Sequence, residues 1–404
     1  MNEFCPKFGN LEGLRVVCVG SALAAPFAAM LLADNGAEVF QVESTLVPDI
    51  LRGYKYEYAQ LHRNVRGCAL NIPSPEGKKI FLRMMEWADV LIESSKGGTF
   101  DKWDLSDEKL WEVNPKLVIV HVSGYGQTGD PKYVSRAAYD FTGQAFSGYP
   151  LFNGNPDQPP MNAKPMLCDH VTGLTAAYGA LMGVFRAQRT GKGESVDVAQ
   201  FEAMLNIEYF YPIMGFMFGQ EAQRSEGLDS VTCGRQFYKS KDGKYVSIHM
   251  GGKGPMSRGL PIIGLADDPD FEGVQSVKYG QQSDEVCSKY IAAIDKFAAE
   301  HTAEEIDEIL SSNGIPCAQV MTFADMMVNS HYKARENIIQ YHCPSIDETI
   351  TGFAPFPKFK QAPQQIWRGG PTYGMDNEFL LGMLGYSEDE ISGFYEAGII
   401  KKAR

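Results

Sequence analysis

Asp169 stands just before Val171-Thr172-Gly173-Leu174, at the expected start of a long helix rich in small residues. An Asp there is an ordinary N-cap. The same placement favours an ionised carboxylate, and an ionised carboxylate can attack an activated acyl group. Residue type alone leaves both roles open. Basic residues offer a second chemistry. His62-Arg63-Asn64-Val65-Arg66 precedes a short strand at Ala69-Leu70-Asn71, and Lys96 lies in Glu93-Ser94-Ser95-Lys96-Gly97-Gly98, directly after another strand, with Lys102 further along. Ligands of open parallel sheets bind outside the carboxyl ends of the strands. A Lys there, helped by neighbouring N–H groups, suits a phosphate; plain surface charge is the alternative.

Several chemistries are excluded by their missing motifs. The first turn, Gly20-Ser21-Ala22-Leu23-Ala24-Ala25-Pro26, keeps only the first glycine of a dinucleotide fingerprint, although Glu43 ends the second strand. NAD is therefore not expected. Thr190-Gly191-Lys192-Gly193 reads as a helix end before a strand rather than a phosphate loop. No G-x-S-x-G elbow occurs, which argues against a serine hydrolase. The 7 histidines form no H-x-x-x-H pair, so no metal site is expected.

Bulk properties narrow the class. The 404 residues exceed one ordinary core, so two domains are expected. A net charge of −13 argues against nucleic acid as a partner, while one local basic patch could still hold an anionic cofactor. The 8 cysteines (Cys5, Cys18, Cys68, Cys168, Cys233, Cys287, Cys317, Cys343) form no C-x-x-C pair and read as reduced thiols. The first residues, Met-Asn-Glu-Phe-Cys-Pro-Lys, do not resemble a secretion signal, and no apolar run is long enough for a bilayer. A cytoplasmic protein with no membrane partner is the expectation.

The positioning elements follow from periodicity. Leu14 to Val19 reads as a buried strand, Ala25 to Asn35 as a helix with Pro26 in its first turn, and Val39 to Val42 as a second strand. This β-α-β start recurs: Glu76 to Trp87 is helical, Val90 to Ile92 a strand, Leu105 to Glu112 helical and Leu117 to Val122 a strand. An α/β fold with a parallel sheet follows. Texture changes after Gly219. Gln236 to Ser240 and Tyr245 to His249 flank Lys241-Asp242-Gly243 as a hairpin. Thr302 with Glu305, and Ser387 with Glu390, have capping-box spacing. The expected division is a large Rossmann-like domain over 1–224, a small α+β domain over 225–330, and a C-terminal part, 331–404, that returns to the large domain.

Several ordered segments resemble the family III CoA-transferases, and within them the carnitine and bile-acid branch. They include Pro6-Lys7-Phe8-Gly9, Ser94-Ser95-Lys96-Gly97, Ser123-Gly124-Tyr125-Gly126-Gln127, Gln144 to Tyr149, Thr190 to Asp197, Ile366-Trp367-Arg368-Gly369 and Gly374-Met375-Asp376. The resemblance implies a Rossmann-like large domain with a small domain inserted, and two chains interlocked as a homodimer. It implies transfer of coenzyme A between an acyl-CoA and a small carboxylic acid, with no metal or redox cofactor. Asp169 occupies the place of the family's nucleophile, forming a mixed anhydride and then an aspartyl-CoA thioester. A 2-methylacyl-CoA racemase, with Asp169 and His121 or His170 as an acid–base pair, is an alternative on the same fold.

The resemblance also implies that Lys96, Lys102, Arg66 and Tyr139 bind the cofactor. Two departures stand out. Val65 follows Asn64 where the family often has Lys, so that Arg66 is expected to substitute. Lys102, followed by Trp103-Asp104, replaces an Arg and loses its bidentate fork. For the acid, the segments divide. Asp157-Gln158-Pro159 and the tail from Ile366 resemble the carnitine enzyme; Gly259 to Gly264 resembles the bile-acid enzyme. Carnitine, γ-butyrobetaine or crotonobetaine is the expectation, with Tyr209, Phe210, Tyr211, Phe216 and Phe218 as candidate aromatic faces for a trimethylammonium. A bile acid is the alternative. Gly251-Gly252-Lys253-Gly254 reads either as a lid or as a plain turn.

Overall fold

The computed structural model describes residues 6–224 and 232–403. Cys5 and the expected boundary stretch from 225 lie outside the described residues. The chain forms two compact units: one contains the residues up to Tyr149, Asn162–Pro212 and those from His331 onward, and the other contains Pro150–Met161 and Ile213–Ser330.

The larger unit is built on six parallel strands. In chain order its main elements are β1 Arg15–Val19, α1 Ala24–Asp34, β2 Glu38–Glu43, α2 Lys55–Leu61, β3 Arg66–Ala69, α3 Pro75–Trp87, β4 Val90–Glu93, α4 Thr99–Lys102 and α5 Asp107–Val113. There follow β5 Val118–Ser123, α6 Pro131–Val134, α7 Asp140–Ser147, α8 Leu167–Thr190, β6 Glu194–Ala199 and α9 Gln200–Leu205. The sheet order is β3-β2-β1-β4-β5-β6. Val16 pairs with Val39 on one side and Val90 on the other, so the chain reverses its direction of growth between β1 and β4. In an open α/β sheet that reversal opens a crevice beyond the strand ends.

The central strands β1, β4 and β5 are largely apolar because both of their faces are covered. α1 and α8 bury one face with Ala28, Leu32, Val120 and Ala176; α3 and α5 bury the other with Phe81, Met84, Leu91 and Leu110. α8 approaches closely because its inner face is small. A Cβ on Gly183 would stand 2.5 Å from Val118, one on Gly179 2.8 Å from Val196, and one on Gly173 2.6 Å from the Ala24 carbonyl. The C-terminal residues pack on β3, where the Asp376 carboxylate accepts from Gly67 N–H at 2.7 Å and Asn377 Oδ1 from Ala69 N–H at 2.9 Å.

The smaller unit is α+β. β7 Arg235–Lys239, β8 Tyr245–His249 and β9 Cys317–Gln319 form an antiparallel sheet. Helices Asp284–Glu300 and Ala303–Ser312 accompany it, with Tyr238, Ile248, Tyr290, Ile294 and Ile306 in the core. The hairpin and both capping boxes form where their spacing places them. Gly252 is the N-cap of helix Lys253–Ile262, so the glycine stretch is a helix start. Among the described residues no helix is long and apolar enough to cross a membrane.

Candidate active site

The crevice at the reversal is a cavity of about 360 Å³. Much of its wall comes from the carboxyl ends of strands: Ser21–Ala25 after β1, Ser94–Lys96 after β4, Ser123 and Gly124 at the end of β5, and Gln200 after β6. Asp169 and Tyr139 line the same cavity. Tandem parallel strands therefore bring together residues far apart in the chain.

Asp169 is in the first turn of α8, whose N-cap is Met166 without a side-chain cap bond. The expected N-cap role is thus corrected: Asp169 lies inside the helix and its side chain faces the cavity. Its backbone N–H donates to Asp140 Oδ1 at 3.0 Å, and its Oδ1 accepts a short hydrogen bond from Gln200 Nε2. Burial, then the Asp140 charge, push the Asp169 carboxyl up to about 7, against the Gln200 hydrogen bond. The expectation that the helix start would hold it low is overturned, because loss of water and a neighbouring acid outweigh the dipole. Asp140 is itself buried and is held by Gln144 Nε2 at 2.6 Å.

Lys96 is exposed and lines both this cavity and a neighbouring one of about 410 Å³. Tyr139 precedes α7 and is 70% exposed. The structure does not bring Lys102 or Arg66 to either cavity lining. Lys102 is exposed at the end of α4. Arg66 opens β3 rather than the loop before it, so strand pairing carries it into the protein. There it lies 3.4 Å from Asp376 and 3.6 Å from Glu38, with its guanidinium 4.0 Å above the Phe379 ring. Val65 is equally buried, and its carbonyl accepts from Arg368. An apolar residue suits that position.

Sequence reasoning gave no role to three neighbours. Gln200 and Asp140 hold Asp169 directly, and Arg136 lines the cavity as a second cation. The available signal for Gln200 was a polar residue directly after a strand. His121, considered as an acid–base group, lines the second cavity with both ring nitrogens engaged: Glu93 at 2.7 Å and Asp107 at 2.9 Å. Burial opposes its charge, but the hydrogen bonds and charges of Asp107 and Glu93 prevail and push it up to about 10. Glu93 also accepts from Ser95 N–H at 2.6 Å, tying this cluster to the Lys96 loop. His170 Nδ1 lies 2.8 Å from the Met166 carbonyl.

Residues 11–377 match CoA-transferase family III. The chain belongs to this family. It is a CoA-transferase, moving coenzyme A between an acyl-CoA and a carboxylic acid. It is 43% identical to the bile acid CoA-transferase BaiK of Clostridium scindens over 99% of this chain and 91% of that protein. The fold is similar to a crystal structure of a CAIB/BAIF family protein from Brucella suis (TM-score 0.79, 24% identity, 94% of this chain and 100% of that one). It is also similar to Rv3272 from M. tuberculosis (TM-score 0.79, 20% identity, 93% and 100%). The relationship to BaiK favours the bile-acid alternative over the carnitine expectation. Among the described residues no group of His, Cys, Asp and Glu is arranged to hold a metal.

Proposed function

We propose that this CoA-transferase works through Asp169 as nucleophile, on a bulky apolar acid of the bile-acid type. The observation that carries the first part is the setting of Asp169: a carboxylate facing the crevice, one oxygen hydrogen-bonded and the other available, at a pKa close to neutrality. Asp169 Oδ2 attacks the thioester carbonyl carbon, a C–O bond forms, the C–S bond breaks, and CoA leaves as thiolate. The thiolate then attacks the aspartyl carbon of the mixed anhydride and expels the donor carboxylate. The acceptor carboxylate attacks the aspartyl-CoA thioester, and the returning thiolate takes the new acyl group. No proton or electron is gained or lost overall. Lys96, and Arg136 on the same cavity lining, supply positive charge for the CoA phosphates, and Tyr139 borders the reacting end.

The choice of acid rests on the BaiK relationship and on the wall of the crevice. Ala22, Leu23, Ala25, Val47, Pro48 and Ile50 make it aliphatic, with Tyr139 as its aromatic member among the described lining residues. A trimethylammonium group needs aromatic faces. Tyr209, the most exposed of the expected aromatic set at 83%, and Phe210 stand outside this lining. A paired, interlocked state belongs to the same reading. It is supported by the exposed apolar row Leu174, Tyr178, Met182 and Phe185 on α8. The unpaired thiols of Cys18, Cys68 and Cys168 support a reducing compartment, the cytoplasm.

Incubation with an acyl-CoA donor followed by peptide mass spectrometry tests the mechanism. A CoA-sized adduct is expected on the peptide containing Asp169, absent in Asp169→Ala together with turnover. Full turnover in that variant refutes the reading. An acceptor panel of a bile acid, carnitine and γ-butyrobetaine tests the acid; preference for the cationic acids refutes that part.

A further inference from the structure

We infer that Gln200 is a catalytic residue of the transfer, the donor that stabilises negative charge on the aspartyl oxygen whenever the aspartyl carbon itself is attacked. The inference rests on Asp169 being the nucleophile and adds a role for the residue that grips it.

Gln200 is the first residue of α9, directly after β6, and only 6% exposed. Its Nε2 donates to Asp169 Oδ1, while its Oε1 is buried without a hydrogen-bond partner among the described residues. The amide thus spends its one contact on Asp169. Its place is built by neighbouring elements. The Gln200 backbone carbonyl accepts from Cys168 Sγ at 3.4 Å, coupling it to the residue before Asp169. A Cβ on Gly143 of α7 would stand 2.5 Å from Cys168 Sγ and 3.2 Å from Gln200 Cβ, so a glycine there lets α7 pack close against both.

The consequence follows from which oxygen is held. With Oδ1 bonded to Gln200, Oδ2 forms the bond to the acyl group, and Oδ1 becomes the carbonyl oxygen of both the anhydride and the thioester. CoA thiolate attacks Cγ of the anhydride; the C–S bond forms, Oδ1 takes the electron pair, and the charge returns as the donor carboxylate leaves. Attack by the acceptor carboxylate on the aspartyl thioester repeats this, with thiolate leaving. In both tetrahedral states a full negative charge sits on Oδ1, whereas the resting carboxylate spreads its charge over two oxygens. The Gln200 N–H bond is therefore stronger in those states than in the ground state, which is the condition for accelerating the reaction. The outer steps attack the substrate's acyl carbon, first by Asp169 on the donor thioester and last by thiolate on the acceptor anhydride with Asp169 leaving as carboxylate; their oxyanion sits on the substrate and does not use Gln200.

The test is rapid chemical quench under single turnover, counting free CoA and protein-bound CoA separately, for the wild type, Gln200→Met and Gln200→Ala. Met matches the length of Gln without a donor, and unfolding midpoints check that both variants are folded. The wild type should form bound CoA on Asp169. The variants should release free CoA within about threefold of the wild-type rate but form bound CoA about 10²–10³ times more slowly, the loss seen on removing one oxyanion donor. KM for acyl-CoA should change less than kcat. Equal loss of free-CoA release and adduct formation would mean that Gln200 only positions Asp169, and would overturn the inference. So would wild-type adduct rates in both variants. Absence of any adduct in the wild type instead refutes the nucleophile reading beneath it. If Gln200→Met and Gln200→Ala fail to fold, Gln200→Glu, which keeps the volume and accepts rather than donates, carries the same comparison.

Discussion

The backbone N–H of Asp169 donates to the Asp140 carboxylate at 3.0 Å, so one acid fixes the start of the helix that carries the other. The bond orients Asp169, and the charge that makes it also lifts the Asp169 carboxyl towards neutrality. Orientation and pKa are therefore coupled through one contact.

That coupling sets a pH profile. With Asp169 near 7, the nucleophilic carboxylate is a minority species at pH 6 and dominant at pH 8. kcat/KM should rise through neutral pH. In Asp140→Asn the amide oxygen still accepts from Asp169 N–H but the like charge is gone, so the rising limb should move to lower pH. A limb that stays in place would show that Asp140 does not act on Asp169 through charge.

The same shift affects stability. A carboxyl raised from 3.8 to about 7 on folding binds its proton more tightly in the native state. It costs nothing below the unfolded pKa, and its cost grows between those two values and is complete above the folded one. Asp169→Asn should therefore stabilise the fold at pH 8 by on the order of 1–3 kcal/mol, less than the full linkage value because the site is partly open to solvent. At pH 4 the gain should vanish. Urea unfolding at both pH values measures it.

His121 carries the opposite sign. Its imidazole is raised to about 10 by Asp107 and Glu93 against burial. Its stabilisation is full below the unfolded value near 6.5 and is lost as pH rises through the folded value. His121→Asn should cost roughly 1.5–3 kcal/mol at pH 6, the range for hydrogen bonds to charged groups, and less at pH 10. Because Glu93 also holds Ser95 N–H, KM for acyl-CoA should rise in this variant.

Lys96 borders both cavities, so Lys96→Ala should raise KM for acyl-CoA about tenfold, the loss of one charge-assisted contact, with little change in kcat. Steady-state kinetics with full-length acyl-CoA and a truncated pantetheine thioester separate the two. The truncated donor, lacking the phosphates, should be indifferent to the change.

Two glycines make a matched pair. Gly183→Ala puts a Cβ 2.5 Å from buried Val118 and should destabilise by about 1–3 kcal/mol through overpacking. Gly393, within helix Glu388–Glu396, has open space around it; Gly393→Ala should stabilise by about 0.4–1 kcal/mol by restricting the unfolded chain. Thermal midpoints of the two variants should move in opposite directions.

Much of this protein is written in local pattern. The apolar runs around Val17, Leu91 and Val120, the helix periodicity between them, the hairpin at Asp242-Gly243 and the capping boxes at Thr302 and Ser387 depend on neighbouring residues and were legible without coordinates. The parallel α/β class follows from their order, and the ordered motifs identified the family. What local pattern could not supply was the company each side chain keeps. Arg66 looked like a loop cation and is a buried strand residue because β3 begins three residues earlier than its apolar run suggests. Asp169 looked like an ionised cap and is raised to about 7 by burial and by the Asp140 charge from α7, against the hydrogen bond from Gln200 at the start of α9. Burial and pairing are properties of the assembled sheet and its helices. Sequence decided that an Asp stands at the head of α8; only tertiary structure decided its neighbours, its charge and which of its oxygens is left to react.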